Sequence, residues 1–336
     1  MAKKKGKTLP TVGVVGSGSF ATAIVKMLLE NVKFVHWCVR NEFVKGALEL
    51  RGHNPNYLTA VAFDVKKLKI TTDINELVSA CDIIVLATPS IYLADAIEKM
   101  TCDYEGKLFV SAIKGIVPKH NDVVAHYLRD VFKIGFRSQA VIAGPCHAEE
   151  VAMERLSYLT IAAAEKEHID ALRELFTSDY IKVSCSTDIL GNEYSAILKN
   201  IYAIAAGIAS GLGYGDNFNA VLVSNAIREM ELFLDAIYPE HREVNDSAYL
   251  GDLLVTAYSL FSRNRNLGNL IGKGYTVKSA VQSMSMVAEG YYATRGIYEI
   301  AYEKKLKTPI INTVFSILYE GKDAEKQFKK LTEKLT

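Results

Sequence analysis

Thr11-Val12-Gly13-Val14-Val15-Gly16-Ser17-Gly18-Ser19-Phe20-Ala21 is the stretch on which the fold of this 336-residue chain turns. Thr11 to Val15 is apolar and mostly β-branched, the pattern of a buried parallel strand. From about Ala21 to Glu30 the pattern becomes helical. Between them, Gly16 permits a tight turn and Gly18 lets backbone approach a pyrophosphate. Ala21 stands at the third position of the dinucleotide fingerprint, which tolerates it. The helix N-terminus adds free N–H donors and a positive dipole end. Strand, glycine turn and helix in that order predict a dinucleotide-binding unit, with Gly16 and Gly18 at its centre.

The chain downstream continues the pattern. A second strand, Phe34 to Val39, ends in Cys38-Val39-Arg40-Asn41. A site selective for NAD usually carries an acid there to bind the ribose hydroxyls. Arg40 can instead pair with a 2′-phosphate, so NADP is compatible, although a surface loop arginine is an equal reading. Further strands are expected at Ile83 to Ala87, Leu108 to Ala112, Ala140 to Ala143, Leu159 to Ala164 and Ile181 to Cys185, with a helix at Ile74 to Ala80. Ligands of such sheets sit beyond the strand C-termini. That rule puts Lys114 and the Gly144 turn at the crevice. The expected class is α/β: a Rossmann-like domain, then an all-α C-terminal domain.

After about Thr187 the strand pattern stops. Gly191 to Ala209 reads as one long helix, with Tyr194, Leu198, Ile201, Ala205 and Ile208 at helical spacing. Its other faces are apolar or small too, so the helix is buried. Lys199 and Asn200 are the polar exceptions. A buried ammonium is costly unless paired or used, although a lysine can also lie along its helix and reach water. Helices are expected at Asn219 to Ile237, near Leu250 to Leu260, near Val277 to Ala288 and in a C-terminal pair. Asp252 stands beside apolar residues in Gly251-Asp252-Leu253-Leu254-Val255-Thr256. Ser262-Arg263-Asn264-Arg265-Asn266-Leu267-Gly268 reads as a loop with donors suited to a phosphate. The expected division is a disordered basic tail over 1–8, a dinucleotide-binding domain over 9–187 and a helical substrate and catalytic domain over 188–336.

Composition narrows the class. Hydrophobic residues make up 49% and charged residues 23%, with a formal net charge of +1. That is globular, with no field suited to nucleic acid. Five scattered cysteines read as free thiols of a reducing, cytoplasmic compartment. No segment reads as a signal or a membrane span. The seven histidines are isolated, so no metal site is expected.

Taken together, the GSGSFA turn, KGI at Lys114, GP-x-HA at Gly144, LKN-IYAIAAGIA, GLGYGDN, GDLLVT, SRNR-x-LG and Val287-Ala288-Glu289-Gly290 resemble the bacterial-type NAD(P)-dependent glycerol-3-phosphate dehydrogenases. The resemblance implies reversible reduction of dihydroxyacetone phosphate to sn-glycerol 3-phosphate, supplying phospholipid synthesis. It implies a small phosphorylated substrate and NAD or NADP as cofactor; the missing acid after the second strand, with Arg40 in its place, predicts that NADPH is used at least as well as NADH, and the apolar surface of the helical half, with support from the resemblance, points to a homodimer. By position the resemblance makes Lys199 the catalytic lysine, with Asn200, Asp252 and Thr256 as supporting groups. Arg263 and Asn264 fall at the phosphate clamp, and Lys114, Gly144, Cys146, Lys199, Asp252 and Ser262 at other substrate positions. Ser19, Phe20, Arg40, Lys114, Ala148, Arg263, Val287 and Glu289 fall at cofactor positions. Cys146 stands where the family often has Ser or Thr, Phe20 where Trp or Tyr is commoner, and Asn225-Ala226 where an Arg-Gly pair is common. A β-hydroxyacid or 6-phosphogluconate-type dehydrogenase also places Lys and Asn on a long helix, but without SRNR in this setting. A non-catalytic dinucleotide sensor would not need Lys199 and Asp252 together.

Overall fold

The computed structural model describes residues 9–336; the basic tail expected over 1–8 lies outside them. Eight strands form one sheet: β1 (Val12–Val15), β2 (Val35–Cys38), β3 (Leu68–Thr71), β4 (Ile83–Leu86), β5 (Leu108–Ser111), β6 (Gln139–Ala143), β7 (Ser157–Ala163) and β8 (Ile181–Ser186). Their order is β3-β2-β1-β4-β5-β6-β7-β8. All neighbours run parallel except β6 and β7, which pair antiparallel. The chain therefore builds outward from β1 to β3, then returns to β4 on β1's other side. The order reverses between β1 and β4, and a crevice opens there beyond the strand C-termini. Every residue of β1, β4, β5 and β6 is buried, as expected of strands covered by helices on both faces.

The first turn is pinned from three sides. Gly16 has φ +123°, and a Cβ there would sit 2.5 Å from the Ala87 carbonyl oxygen. Only glycine suits both demands. Its N–H donates to the Cys38 carbonyl at 2.9 Å, and its carbonyl accepts from the Trp37 indole at 2.6 Å. Asn54, fully buried, donates to the Ser17 carbonyl and to Thr22 Oγ1. Its own carbonyl oxygen accepts from the N–H groups of Asn56 and Tyr57, which ties that loop to the turn.

Past β8 the chain is helical. The central helix spans Ile189–Gly211, and every residue from Ile189 to Ala209 is buried. Asp188 caps it, its Oδ1 accepting the Gly191 N–H at 2.7 Å. Around it lie helices Asp216–Ile237, Asp252–Tyr258, Arg263–Gly272, Val277–Ser283, Glu289–Glu303, Pro309–Leu318 and Ala324–Thr332. A single turn of π-helix, Ser247–Gly251, leads into Asp252.

Three expectations change. A third strand, β3, exists where none was expected; it is a short edge strand carrying Lys69. The helix expected near Val277 to Ala288 stops at Ser283, because Met284 turns extended. The Ser262 cluster is not a loop. Ser262 is the N-cap of a helix that starts at Arg263, its Oγ accepting the Arg265 N–H.

That last helix lies on the central helix backbone to backbone. A Cβ on Gly207 would strike the Arg265 carbonyl oxygen, and one on Gly211 would sit 2.5 Å from the Asn269 carbonyl oxygen. From the other side, a Cβ on Gly268 would strike the Ile204 carbonyl oxygen, and one on Gly272 would sit 2.9 Å from Gly211 Cα. Each helix offers two glycines four residues apart, on one face. The packing leaves no room for a methyl group. Gly268→Ala is therefore expected to destabilise the protein by roughly 1–3 kcal/mol through overpacking, read by chemical denaturation. Unchanged stability would mean that the two helices can part freely.

Candidate active site

The crevice is a cleft of about 950 Å³ running from the glycine turn to the central helix. Gly16, Gly18, Ser19 and Phe20 line one end, with Arg40 exposed at the rim. Lys199, Asn200, Asp252, Thr256, Ser262, Arg263 and Asn264 line the other. Lys114, Cys146, Ala148, Val287 and Glu289 lie on its walls. Of the residues singled out from the sequence, Gly144 alone is not on the surface of the cleft. It acts from behind, its carbonyl accepting from Lys114 Nζ at 3.2 Å.

The dinucleotide end suits its ligand. The Ser19–Leu29 helix has no side-chain cap at Gly18, so its first N–H groups are free toward the cleft. A Cβ on Gly18 would meet no protein atom, and Gly18 lines the cleft, so the space beside it is open. No acid follows β2. Asn41 is spent as the N-cap of helix Glu42–Arg51, accepting the Val44 N–H, and Arg40 has no carboxylate partner among the described residues. These groups fit an NAD(P) pyrophosphate and ribose. Gly16 makes the tight turn, the open space beside Gly18 lies against the free helix N-terminus and suits a pyrophosphate, and Arg40 is a cation at the rim of the cleft.

The other end holds charge out of water. Lys199, buried in mid-helix, donates to Asp252 Oδ1 and to Thr256 Oγ1 at 3.0 Å. Asp252 Oδ2 lies 3.3 Å from Lys114 Nζ, which reaches in from the end of β5. Thr256 is turned toward the amine because its own hydroxyl donates to the Asp252 carbonyl at 2.6 Å. Asn200 donates to the Lys114 carbonyl at 2.8 Å, fixing that turn to the central helix. Lys114 also sits over the Phe20 ring, 5.6 Å from its centroid.

One carboxylate thus faces two ammonium groups. Burial disfavours charge on Lys199, and Lys114 adds to that; Asp252 opposes both, and the amine comes down from 10.5 to about 7. For Asp252 burial works against ionisation, but the two lysines win and hold its carboxyl below the usual range. Burial pushes the Cys146 thiol up to about 12, so it is neutral and unreactive. Burial also lowers His147 to about 4, so its ring is neutral too.

Arg263 begins its helix beside Asn264. One guanidinium nitrogen lies 3.4 Å from Glu149 Oε1, while its Nε is buried without a partner. Asn264 Oδ1 accepts the Gly290 N–H at 2.9 Å, which leaves its amide N–H groups as the free donors. Two donor side chains and a helix N-terminus converge there on anion-binding chemistry. Glu289 accepts from the Ser90 N–H and hydroxyl, joining the end of β4 to the helical half. Burial raises its carboxyl above the usual range.

Sequence reasoning passed over Ser90, Asn54, Trp37 and Met286. Ser90 follows β4 and was open to the same strand-end rule that found Lys114. Met286 accepts from the Ser19 hydroxyl at 3.4 Å and lines the cleft only because its segment is not helical. Among the described residues no three His, Cys, Asp or Glu side chains lie close enough to hold a metal ion.

A doubly wound domain with an open glycine turn, sharing one cleft with a buried lysine–carboxylate pair, defines a dinucleotide-dependent dehydrogenase. Comparison with known proteins narrows this. Residues 11–169 match the family described as NAD-dependent glycerol-3-phosphate dehydrogenase N-terminus, and residues 188–329 match the C-terminus of the same family. The chain belongs to the NAD-dependent glycerol-3-phosphate dehydrogenase family. It is 34% identical to the glycerol-3-phosphate dehydrogenase [NAD(P)+] of Chlorobium limicola, over 94% of this chain and 95% of that one. It is 32% identical to the Bacillus pumilus enzyme of the same name, over 95% and 93%. A crystal structure of glycerol-3-phosphate dehydrogenase from Coxiella burnetii superposes with TM-score 0.90 at 26% identity, covering 97% of this chain and 99% of that one.

The shared carboxylate has a measurable consequence. Asp252→Asn leaves the buried Lys199 and the partly buried Lys114 facing no anion, and breaking a buried pair in this way costs roughly 3–5 kcal/mol. The Lys199 amine should then titrate lower still. A lysine whose folded pKa is depressed destabilises most below that pKa, and the penalty lifts as pH rises toward 10.5. The Lys199 share of the Asp252→Asn deficit should therefore be full below the variant's lowered pKa, fade as pH rises toward about 7 and be gone above it, in denaturation curves taken across pH. A pH-independent deficit would mean that the carboxylate does not balance these amines.

Proposed function

We propose that this protein reversibly reduces dihydroxyacetone phosphate to sn-glycerol 3-phosphate with NAD(P)H. The observation that carries the reading is the placement of a buried amine, Lys199, and an anion-binding arginine, Arg263, on one cleft with the dinucleotide turn. When bound, the reduced dinucleotide supplies the hydride. The protein's part is to hold the substrate and to manage one proton. Arg263, Asn264 and the N-terminus of their helix bind the phosphate, replacing the water around a dianion. Lys199 Nζ, oriented by Thr256 Oγ1 and Asp252, holds the proton that the developing alkoxide takes. Lys114 balances Asp252 and, with Asn200, closes the wall of the cleft. Cys146, as a neutral thiol, contributes shape and a weak donor rather than a hydroxyl.

The proposed site roles are those the sequence suggested. Lys199, Asn200, Asp252 and Thr256 serve catalysis. Lys114, Gly144, Cys146, Lys199, Asp252, Ser262, Arg263 and Asn264 serve the substrate, and Gly16, Gly18, Ser19, Phe20, Arg40, Lys114, Ala148, Arg263, Val287 and Glu289 the cofactor. We divide the chain into a dinucleotide-binding domain over 9–187 and a helical substrate domain over 188–336. A cytoplasmic enzyme feeding phospholipid synthesis accords with the reading, and no helix among the described residues is long and apolar enough to cross a membrane. A homodimer belongs to the reading as well. The central helix is already covered within one chain, so its support comes from exposed apolar residues such as Leu254, Tyr258 and Leu260, and sedimentation tests it.

Three outcomes are expected. Lys199→Met should lower kcat by ~10²–10⁴-fold while the protein stays folded and still binds NADPH; near-normal kcat would remove the proton role. Arg40→Asp should weaken NADPH selectively, measured as Kd for each cofactor; equal loss with NADH would return Arg40 to the surface. Arg263→Lys keeps the charge but loses the fork. It should raise KM for dihydroxyacetone phosphate strongly and lower the ratio of activity on phosphorylated over unphosphorylated dihydroxyacetone. An unchanged ratio would show that Arg263 does not read the phosphate. The same assay against a panel of oxo acids separates this activity from a β-hydroxyacid or 6-phosphogluconate-type dehydrogenase and from a sensor without turnover.

A further inference from the structure

Asp188 does more than cap the central helix. Its Oδ2 accepts two further bonds, from the Tyr249 hydroxyl at 2.9 Å and from Arg242 Nε at 2.9 Å. Arg242 is held in turn, donating to the Tyr238 carbonyl at 2.9 Å, and its side chain is 3% exposed. Asn192, one turn into the helix, donates to the Asp188 carbonyl at 2.7 Å. Asp188 and Tyr249 are both buried. Hydrogen bonds to an ionised group in such surroundings are the strong kind. None of Asp188, Arg242 and Tyr249 lines the cleft. Asp188 lies on the order of 16 Å from Lys199 along the helix, at 1.5 Å per residue.

What this cluster joins gives it a role. Asp188 starts the helix that carries Lys199. Tyr249 sits in the π-helical turn Ser247–Gly251, and the next residue after that turn is Asp252. The wide turn has no side-chain cap. The Tyr249 hydroxyl bond to Asp188 fixes it to the start of the central helix. We propose that Tyr249, anchored by Asp188, is a positioning residue: its hydroxyl sets the height of the Asp252 turn along the central helix and so keeps the Asp252 carboxylate against the Lys199 amine. The proposal rests on the reading of Lys199 as the proton donor.

The consequence for Lys199 has a definite sign. The groups facing its amine are Asp252 and Thr256 from helix Asp252–Tyr258, Lys114 from the end of β5, and Cys146 and His147 from the turn after β6. Cys146 and His147 are neutral near pH 7, and Lys114 opposes a second positive charge. Asp252 is the one group of these that favours the ammonium form. Loosening it lets burial and Lys114 prevail, so the amine titrates at lower pH.

The test uses Tyr249→Phe in the full-length protein, which keeps the ring and removes the hydroxyl. Lys199 acylation by acetic anhydride is followed across pH by peptide mass spectrometry, beside the pH profile of kcat for dihydroxyacetone phosphate reduction. The expected result is a labelling midpoint at lower pH than in wild type. The limb of the kcat profile should move with it, kcat above that limb falling about tenfold for every pH unit the limb travels, while the Kd for NADPH is unchanged. Asp188→Asn, which preserves the helix cap but weakens the acceptor, should move the midpoint in the same direction if Tyr249→Phe does not fold. An unchanged midpoint in the variant that folds overturns the proposal, and so does a loss of thermal stability with the midpoint in place. If wild type fails to reduce dihydroxyacetone phosphate, the proposed activity falls, while the labelling midpoint still decides the role of Tyr249.

Discussion

The carboxylate of Asp252, out of water and shared between Lys199 and Lys114, is the contact on which the rest of the molecule depends. Three separate elements must arrive together for it to exist: the end of β5, the middle of the central helix and the first turn of helix Asp252–Tyr258. Stripping water from three charged groups is costly, and the cost is offset only while their geometry is kept. The surrounding bonds keep it. Asn200 holds the Lys114 turn, Thr256 orients the amine, and Glu289 closes on Ser90 across the two halves. Burial disfavours the Lys199 ammonium, Asp252 favours it and Lys114 opposes it, and the balance leaves the amine able to give up its proton near neutral pH.

Much of this was legible in the residues. Val12–Val15 and the glycines after it state a parallel strand and a phosphate turn through sterics alone. The strand-end rule put Lys114 and the Gly144 turn at the crevice from topology alone. Lys199 stood out because an ammonium in a helix that is apolar all round requires a partner, and Asp252 was the acid in equally apolar surroundings. Roles for Ser19, Ala148 and Val287 came instead from likeness to a family, since nothing in their own chemistry marks them.

What was not legible has physical reasons. The cluster from Ser262 reads as a loop because polar residues fill its first turn, and two glycines that argue against helix follow in Gly268 and Gly272. Those glycines are there for a neighbour far away in sequence, the central helix at Gly207 and Gly211. The helix expected to reach Ala288 ends at Ser283, since the segment from Met284 is required along the wall of the cleft. β3 escaped notice because it is only four residues long and includes the exposed Lys69, with only Leu68 and Thr71 buried. Asn54 and Trp37 act on the glycine turn through side chains whose partners only folding brings near.

The glycine crossing also works as a ruler. Lys199 and Arg263 belong to two helices with no side chain between them at the crossing, so the span from the Lys199 amine to the Arg263 guanidinium is fixed by main chain more than by rotamers. Side chains at such a contact can be exchanged in small steps of size; two touching backbones can move only by slipping a whole turn, about 5.4 Å. A cleft built this way holds one separation between a buried amine and a guanidinium. Changing that separation would require re-registering a helix, a change that no single substitution in the cleft supplies.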